Sequence, residues 1–347
     1  MKYKIKVFGI FSSVKHYWDR IIKDNAEMTV YQTVEWNQHI AFSYNTNNYL
    51  LKNIKSKYYV LFEDGEAKII APLAIPNNDS EYISIKGQYS KAGALNLIYS
   101  SDVKKEDFDY LLEYVFNTTS NDELGFYEIP SYTFFHKYLE ERSDAKFLFG
   151  ETCVRCHVPQ SYDEYYNLLS KSSRQTIRTA HNRVKTDNKN LSFDFYLNGK
   201  NIPLKTAVQI KDLVLKREAE INGNEQASSD NSTNIKSIID IIRDPIYRFS
   251  MHEKNSFCAT LSIDGVLAAA IIAMESKGNI IVPSFAHNSS LDRYYPGVLL
   301  IDEIFKHICG KEYGTFDLSR GNERYKYRYL CSPEEYTADH FKIKRPI

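Results

Sequence analysis

The chain is 347 residues long, and its 43% hydrophobic and 25% charged residues are typical of globular proteins, which excludes wholesale disorder and allows two domains. Its 44 basic and 44 acidic residues cancel, which argues against a DNA-binding protein, since such proteins carry a basic excess. Apolar runs stay far below the roughly 20 residues of a membrane span. The N-terminal residues lack the pattern of a cleavable signal peptide, so we expect a cytoplasmic protein without a membrane span.

The first 150 residues alternate between strand-like and helix-like patterns, as α/β proteins do. Asp64-Gly65 separates two apolar runs, which predicts a β-hairpin. The other elements predicted here are a strand at 4–10, helices at 13–24 and within 29–45, a strand near 94–99, a helix at 105–117 and a strand at 124–129.

The segment around residue 153 contains a motif that resembles a haem attachment site. Cys153 and Cys156 are followed by His157, as in c-type haem attachment. Haem attachment requires export, and a zinc site needs further ligands. Because the segment alternates like a strand, we interpret both thiols as reduced and structural, and we expect no metal.

The pattern of strands and helices restarts after about residue 150. Ser161 and Glu164 form an S-x-x-E capping box, which predicts a helix over 161–184. A second helix is predicted at 204–221, and the polar segment 222–234 is predicted to be a loop.

A second hairpin is predicted at Asp264-Gly265. Like the hairpin at Asp64-Gly65, it precedes a strand, a helix and a further strand. This correspondence indicates an internal duplication of one α/β unit. We therefore divide the chain into domains 1–150 and 151–347.

The junction before residue 298 combines a strand, a loop and a helix. The strand covers 280–285, and Pro296-Gly297 suits a first helical turn with free N–H groups. Such a turn can bind an anion such as pyrophosphate. The alternative is that Pro-Gly only begins the helix.

A basic helix face is predicted within 171–189. Arg174, Arg178, His181 and Lys185 are spaced so that they share one side of a helix. This side could bind phosphates of a cofactor or of RNA. The alternative is an ordinary solvated surface.

The stretch FDLSRGNERYKYRYL, residues 316–330, places acids, cations and tyrosines directly after a strand. Gly321 is expected to turn the chain, and residues 323–330 to form a helical turn with Tyr325 and Tyr329 on one side. On spacing alone, a salt-bridged structural turn is the alternative to a catalytic role.

Taken together, six segments resemble the CelD/BcsL-type family of GNAT acyltransferases, which is related to the FemABX transferases. The segments are WNQHI, SYDEYYNLLSKSSRQTIRTAHNRV, LVLKREAE, DGVLAAAIIA, YYPGVLLIDEI and FDLSRGNERYKYRYL. The resemblance covers roughly residues 30–335. It implies an α/β fold of two tandem GNAT-like domains, each a mixed twisted sheet flanked by helices. The first domain would be mainly structural and form a wall of the acceptor cleft.

The same resemblance implies acyl transfer from acetyl-CoA, or another acyl-CoA, to an amino sugar or a surface-polysaccharide precursor. The second domain would bind the acyl-CoA and carry the catalytic residues. The implied CoA-binding residues are Ser284, Phe285, Arg293, Tyr295, Pro296, Gly297, Val298 and Leu299. The usual Q/R-x-x-G-x-G/A loop is represented only by Gly297 and a tyrosine pair.

The resemblance also implies a tyrosine that protonates the leaving thiolate. Tyr325 is the first candidate and Tyr327 the second. The candidates for the general base are His287, Asp317 and Glu323, and histidine suits the role best because its pKa lies near 6.5.

Four cationic residues are expected to shape the acceptor site. They are Arg320, Lys326, Arg174 and Arg178. Replacing Lys326 by Ala is expected to abolish turnover while folding stays nearly intact.

Two other functions fit the same residues. One is FemABX-like transfer of an aminoacyl group from a charged tRNA, which the basic helix favours. The other is a GNAT-like protein that binds a ligand without catalysis, which the incomplete glycine loop favours. Stabilisation by acetyl-CoA, by charged tRNA or by neither distinguishes the three.

Overall fold

A computed structural model describes residues 3–45, 54–76, 83–87, 92–221 and 235–345. The predicted loop at 222–234 lies outside the described residues. The chain forms two compact units, one of Met1–Thr152 with Tyr336–Ile347 and one of Cys153–Glu335. The C-terminal residues thus belong to the first unit, whereas the sequence analysis placed them in the second domain.

The strands of the described residues are β1 (Tyr3–Phe8), β2 (Ile54–Glu63), β3 (Glu66–Pro76), β4 (Ile83–Ile85), β5 (Ile98–Tyr99), β6 (Glu123–Pro130), β7 (Ala145–His157), β8 (Leu191–Tyr196), β9 (Ser256–Ile263), β10 (Val266–Ser276), β11 (Asn279–His287), β12 (Thr315–Arg320) and β13 (Glu334–Lys344).

The α-helices of the described residues are α1 (Lys15–Ile22), α2 (Val34–Asn45), α3 (Lys105–Asn117), α4 (Phe134–Glu141), α5 (Tyr162–Leu168), α6 (Lys171–Thr186), α7 (Leu204–Ile221), α8 (Ile235–Arg243), α9 (Pro245–His252), α10 (Pro296–Ile308) and α11 (Arg324–Tyr329). A 3₁₀ segment, Ser289–Tyr294, precedes α10. Each of these helices is too short or too polar to cross a membrane.

In the first unit the strand order is β1-β2-β3-β4-β6-β13. Neighbours are antiparallel except β4 and β6, which are parallel and are joined through α3. Alternate residues of β2 face two cores, with Tyr59 and Leu61 in one and Tyr58 and Val60 in the other. A strand buried on both faces in this way lies inside an α/β layer structure.

In the second unit the strand order is β8-β9-β10-β11-β12, followed by the Cys153–His157 part of β7. Here β11 and β12 are the parallel pair, joined through α10. The apolar face of α10 packs into the core of the unit, where Ile304, Phe305 and Ile308 are fully buried. Burying each such side chain contributes roughly 1.5–3 kcal/mol, so α10 is held firmly against the sheet.

Both predicted hairpins are confirmed. Asp64-Gly65 joins β2 to β3, and Asp264-Gly265 joins β9 to β10. All four residues have positive φ, which is the conformation that a type I′ turn requires and that Asp-Gly favours.

The predicted helix at 161–184 is two helices. α5 ends at Leu168, and Ser170 caps α6 by accepting a hydrogen bond from the N–H of Ser173 at 3.1 Å. No apolar residue lies between Leu169 and Ile177, so the sequence did carry a signal for this break, which the capping box at Ser161 alone did not reveal. The strand near 94–99 is shorter than predicted, since only Ile98–Tyr99 pairs with β3.

The cysteines are free thiols. Cys153 and Cys156 are fully buried on β7, as the strand-like alternation indicated. Burial in an apolar core suits structural thiols, because thiols react as thiolates and burial disfavours that form.

Candidate active site

Strands β11 and β12 pair only at their beginnings. Asn279, Ile280 and Ile281 lie opposite Thr315, Phe316 and Asp317, and the parallel register ends there. Strand β11 continues along β10 as far as His287, whereas β12 continues along β7. Because N–H groups alternate along a strand, those of β11 that point away from β10 face the gap between the diverging strands.

A cleft of about 510 Å³ lies beside this gap. Eight of the candidate site residues line it, namely Phe285, His287, Tyr295, Pro296, Gly297, Val298, Glu323 and Tyr325. The other lining residues are Arg217, Ile221, Asp292, Ile301 and Tyr329. The structure thus brings together the strand end, the α10 junction and the tyrosine-rich turn.

The first turn of α10 has no side-chain cap and no acidic residue. Tyr295 precedes it with φ of 52°, a left-handed conformation in which glycine is common and tyrosine is rare. Pro296 and Gly297 follow as the first helical residues. Pro296 has no N–H, and those of Val298 and Leu299 donate to the carbonyl oxygen of Tyr295, so this turn offers an anion the N–H of Gly297 and the positive end of the helix dipole.

Gly297 is required by its contact with Phe285. A Cβ added at Gly297 would lie 3.0 Å from the Cζ atom of Phe285. Any larger residue would therefore push the Phe285 ring away from α10.

Two arginines surround the segment that leads into α10. Arg183 donates a hydrogen bond to the carbonyl oxygen of Arg293 at 2.8 Å, and its guanidinium lies 5.1 Å from the ring centre of Tyr295. Arg293 itself is paired with Asp187 at 2.9 Å. Arg293 was among the predicted site residues and Arg183 was not, although Arg183 places a positive charge over Tyr295.

His287 is paired with a carboxylate at the rim of the cleft. Its Nε2 atom lies 3.1 Å from the Oδ1 atom of Asp292. Burial lowers the pKa of His287 below 6.5, and the charge of Arg217 lowers it further, whereas Asp292 acts in the opposite direction. His287 is therefore neutral at pH 7, with Nε2–H donated to Asp292 and Nδ1 unprotonated.

Tyr325 lies in α11, the helical turn predicted at 323–330. Its ring contacts that of Phe285, with ring centres 5.5 Å apart and planes at 61°. Burial raises the pKa of the Tyr325 phenol, and the nearby Glu323 carboxylate raises it further. The phenol is therefore protonated throughout the physiological pH range.

Lys326 points away from the cleft and holds the turn together. Its ammonium group is buried and donates hydrogen bonds to the carbonyl oxygens of Ser319 and Gly321, each at 3.0 Å, and to that of Arg320. It also pairs with Glu323 at 3.2 Å. These contacts give Lys326 a structural role, and they argue against the expectation that folding is insensitive to its replacement.

Seven other predicted site residues do not line the cleft. They are Ser284, Arg293, Leu299, Asp317, Arg320, Arg174 and Arg178. Asp317 is buried and accepts a hydrogen bond from the N–H of Ser319 at 2.7 Å. Arg174 and Arg178 lie on the exposed surface of α6. Arg174 donates a hydrogen bond to the carbonyl oxygen of Asn167, and Arg178 donates one to the side-chain oxygen of Gln175.

Arg217 and Asp292 line the cleft but were not among the predicted site residues. Arg217 sits on α7, which packs against β11, so only tertiary contact brings it to the cleft. Asp292 follows His287 in a short loop. A carboxylate so close in sequence to a candidate base could have been predicted to pair with it.

Residues 248–327 match the family described as the acetyltransferase (GNAT) domain. This match covers the hairpin β9-β10, the diverging pair β11 and β12, α10 and most of α11. No protein with a curated description matches the chain.

Several solved structures share the fold over nearly the whole chain. FemX has 10% identity and a TM-score of 0.65, with 99% of this chain and 98% of that chain covered. The tandem GNAT protein of the clavulanic acid biosynthesis pathway has 9% identity and a TM-score of 0.55, with both chains covered completely. L-PGS from Bacillus licheniformis has 12% identity and a TM-score of 0.52, with 97% and 93% covered. The chain therefore has the tandem GNAT-like fold, with mixed sheets flanked by helices.

Proposed function

We propose that the chain is an acyltransferase that uses an acyl-CoA and carries out its chemistry in the second unit. The observation that carries the proposal is the gap between β11 and β12 beside an uncapped, acid-free first turn of α10. Such a gap offers a polar strand edge to an acyl donor, and such a turn offers the Gly297 N–H and the positive end of the α10 dipole to a pyrophosphate. Arg183, over Tyr295, adds positive charge there.

His287 is proposed as the general base. An amine or hydroxyl acceptor must lose a proton as it attacks the thioester carbonyl, and a neutral imidazole can take it. The hydrogen bond from Nε2 to Asp292 fixes the tautomer and stabilises the imidazolium that forms. The new bond joins the acceptor nitrogen or oxygen to the acyl carbon.

The unpaired edge of β11 is proposed to stabilise the oxyanion. As the acceptor attacks, negative charge develops on the carbonyl oxygen, and a fixed backbone N–H lowers the energy of that state. Ser284 and Phe285 lie beyond the last β11–β12 pair and are the candidates for this donor.

Tyr325 is proposed to protonate the leaving thiolate when the carbon–sulfur bond breaks. A phenol with a raised pKa holds its proton until a strong base such as a thiolate forms nearby. The phenolate then regains a proton from solvent and the His287 imidazolium releases its proton to solvent, so the cycle returns both residues to their starting states.

The proposed acceptor is an amino sugar or a surface-polysaccharide precursor, and the proposed donor is acetyl-CoA. The acceptor class rests on the resemblance to the CelD/BcsL-type family. The alternative donor is an aminoacyl-tRNA, as in FemABX-like transfer. The exposed arginines of α6 favour this alternative, because they form a basic surface outside the cleft.

The proposal is tested by thermal unfolding and thiol release. We expect acetyl-CoA to raise the midpoint of unfolding, and amino sugars to trigger release of free CoA thiol. His287→Asn should bind acetyl-CoA but release thiol slowly. His307→Asn is the matched control, since His307 is also half-buried but lies on α10 outside the cleft.

Two outcomes would contradict the proposal. If acetyl-CoA neither stabilises the protein nor loses its acyl group with any acceptor, acyl-CoA is not the donor. If charged tRNA stabilises the protein and its aminoacyl group is transferred, the FemABX-like alternative replaces the proposal.

A further inference from the structure

We infer that Phe285 and Tyr325 together restrict the donor to a short acyl group. This inference rests on the proposed function and adds to it the residues that limit the length of the acyl group. The two rings project from opposite sides of the gap, one from β11 and one from α11, and they touch across it.

The Phe285 ring is confined on its other side by α10. Its Cζ atom approaches the backbone of Gly297 so closely that even a methyl group there would lie at 3.0 Å. The ring therefore lies between the start of α10 and the Tyr325 ring. It has no room to move towards α10, so a long acyl chain cannot push it in that direction.

The Tyr325 ring is confined as well. It lies on the short helix α11 and packs against the core of the second unit. Tyr329, one turn further along α11, is buried in that core. The turn before α11 is fixed by the three carbonyl contacts of Lys326. Both halves of the aromatic pair are thus set in place before a donor binds.

The remaining wall of the cleft is mixed. Ile221, Val298 and Ile301 form its apolar part, and Arg217, His287, Asp292 and Glu323 its charged or polar part. An acyl chain would be accepted against the apolar part on polarity, so the aromatic pair selects the acyl group through the space that it leaves. A short acyl group such as acetyl fits in front of the aromatic pair, whereas a medium chain must displace one ring.

The test is the chain-length profile of the enzyme with acetyl-, butyryl- and octanoyl-CoA. We expect kcat/KM of the wild-type protein to fall at least 100-fold from acetyl to octanoyl, since a single methylene group can change selectivity by about 10–200-fold. Phe285→Ala should reduce that ratio at least tenfold by improving octanoyl transfer. Phe285→Leu keeps more of the packing and should give a smaller change in the same direction.

Phe193→Leu is the matched control. Phe193 is half-buried in the same unit, packs against the same core and does not line the cleft. It should leave the chain-length profile unchanged even if it lowers stability. Binding of octanoyl-CoA, measured as a shift in the midpoint of thermal unfolding, gives a second measurement that does not depend on turnover.

A folded, active Phe285→Leu variant with the wild-type profile would overturn the inference and leave the proposed function intact. So would a wild-type enzyme that transfers octanoyl and acetyl groups equally well. If neither protein binds or turns over any acyl-CoA, the proposed function fails and the inference fails with it.

Discussion

The two units repeat one scaffold, but the helices that join their parallel strands begin differently, with acidic residues in the first turn of α3 and none in that of α10. In each unit an Asp-Gly hairpin is followed by a parallel pair of strands joined through a helix. Each also has a bulge in the strand after that helix, with a left-handed residue, Glu128 in β6 and Ser319 in β12. A bulge in the same place in both units supports the duplication indicated by the hairpins.

The helices α3 and α10 occupy equivalent places and begin differently. The first turn of α3 contains Glu106 and Asp107, and Asp107 accepts hydrogen bonds from the Lys104 N–H at 2.8 Å and the Tyr3 hydroxyl at 2.6 Å. The N–H that precedes the turn is thus already bonded to a carboxylate of the chain itself, and that carboxylate places negative charge at the start of α3. The first turn of α10 has no such carboxylate.

This difference shows that the scaffold and the chemistry were set by different residues. The hairpin, the crossover and the bulge are retained in both units because they build the sheet. A pyrophosphate would meet a buried carboxylate at α3 and free positive potential at α10. We therefore propose that the first unit is mainly structural.

The largest expected effect follows from removing the proposed acid of the second unit. Tyr325→Phe should lower kcat by about 10²–10⁴-fold, the usual contribution of general acid catalysis, while acetyl-CoA binding is retained. Its control is Tyr138→Phe in α4 of the first unit, which removes a hydroxyl bonded to Asp109 and should leave kcat unchanged. Equal losses in both variants, measured by thiol release, would contradict the assignment of catalysis to the second unit.

Lys326→Ala should destabilise the second unit. Three buried carbonyl contacts are lost, and unsatisfied buried polar groups cost about 1–3 kcal/mol each. Denaturant unfolding should therefore show a loss of about 3 kcal/mol or more. Lys189→Ala, which removes a surface pair with Asp264, is the control. A Lys326→Ala protein with wild-type stability and no turnover would instead restore Lys326 as a substrate-binding residue.

Gly297→Asp gives α10 the acidic first turn that α3 has. The carboxylate should repel a pyrophosphate and its Cβ should displace Phe285, so we expect KM for acetyl-CoA to rise about tenfold or more. Gly297→Ala separates the steric part from the charge. The reverse control, Asp107→Asn in α3, should leave KM unchanged, and a KM change there would show that the first unit also binds the donor.

The smallest expected effect concerns the pH profile. The pKa of His287 is lowered by burial and by Arg217, so the acid limb of kcat/KM should lie below pH 6.5. The base works when neutral, and activity is therefore lost as pH falls through that pKa. Arg217→Gln removes the positive charge, which raises the pKa and moves the acid limb towards pH 6.5. A limb that does not move, or that moves down, would exclude His287 as the base.

Much of the fold could be predicted because its signals are local. Asp-Gly turns, the spacing of apolar residues in α10 and the alternation in β7 each depend on neighbouring residues only. The break at Ser170 between α5 and α6 was not predicted, although residues 170–176 are all polar, because the capping box at Ser161 marks where α5 begins and not where it ends.

The site was predictable in its location but not in its side-chain roles. The resemblance directed attention to the α10 junction and the tyrosine-rich turn, and the structure brings both to one cleft. Tyr325 and Lys326 are adjacent, yet one faces the cleft and the other the carbonyl oxygens of its own turn. Successive residues of a helix point about 100° apart, and only packing decides which of them faces inward.

The sequence by itself determined the duplicated α/β pattern, the hairpins and the uncapped start of α10, because backbone propensity and turn chemistry act over a few residues. The tertiary structure decided that β11 and β12 separate after three residue pairs. It also brought Arg217 to His287, and Phe285 to Tyr325, from different elements. Such contacts depend on how helices pack on a twisted sheet, and no local pattern of residues encodes that geometry.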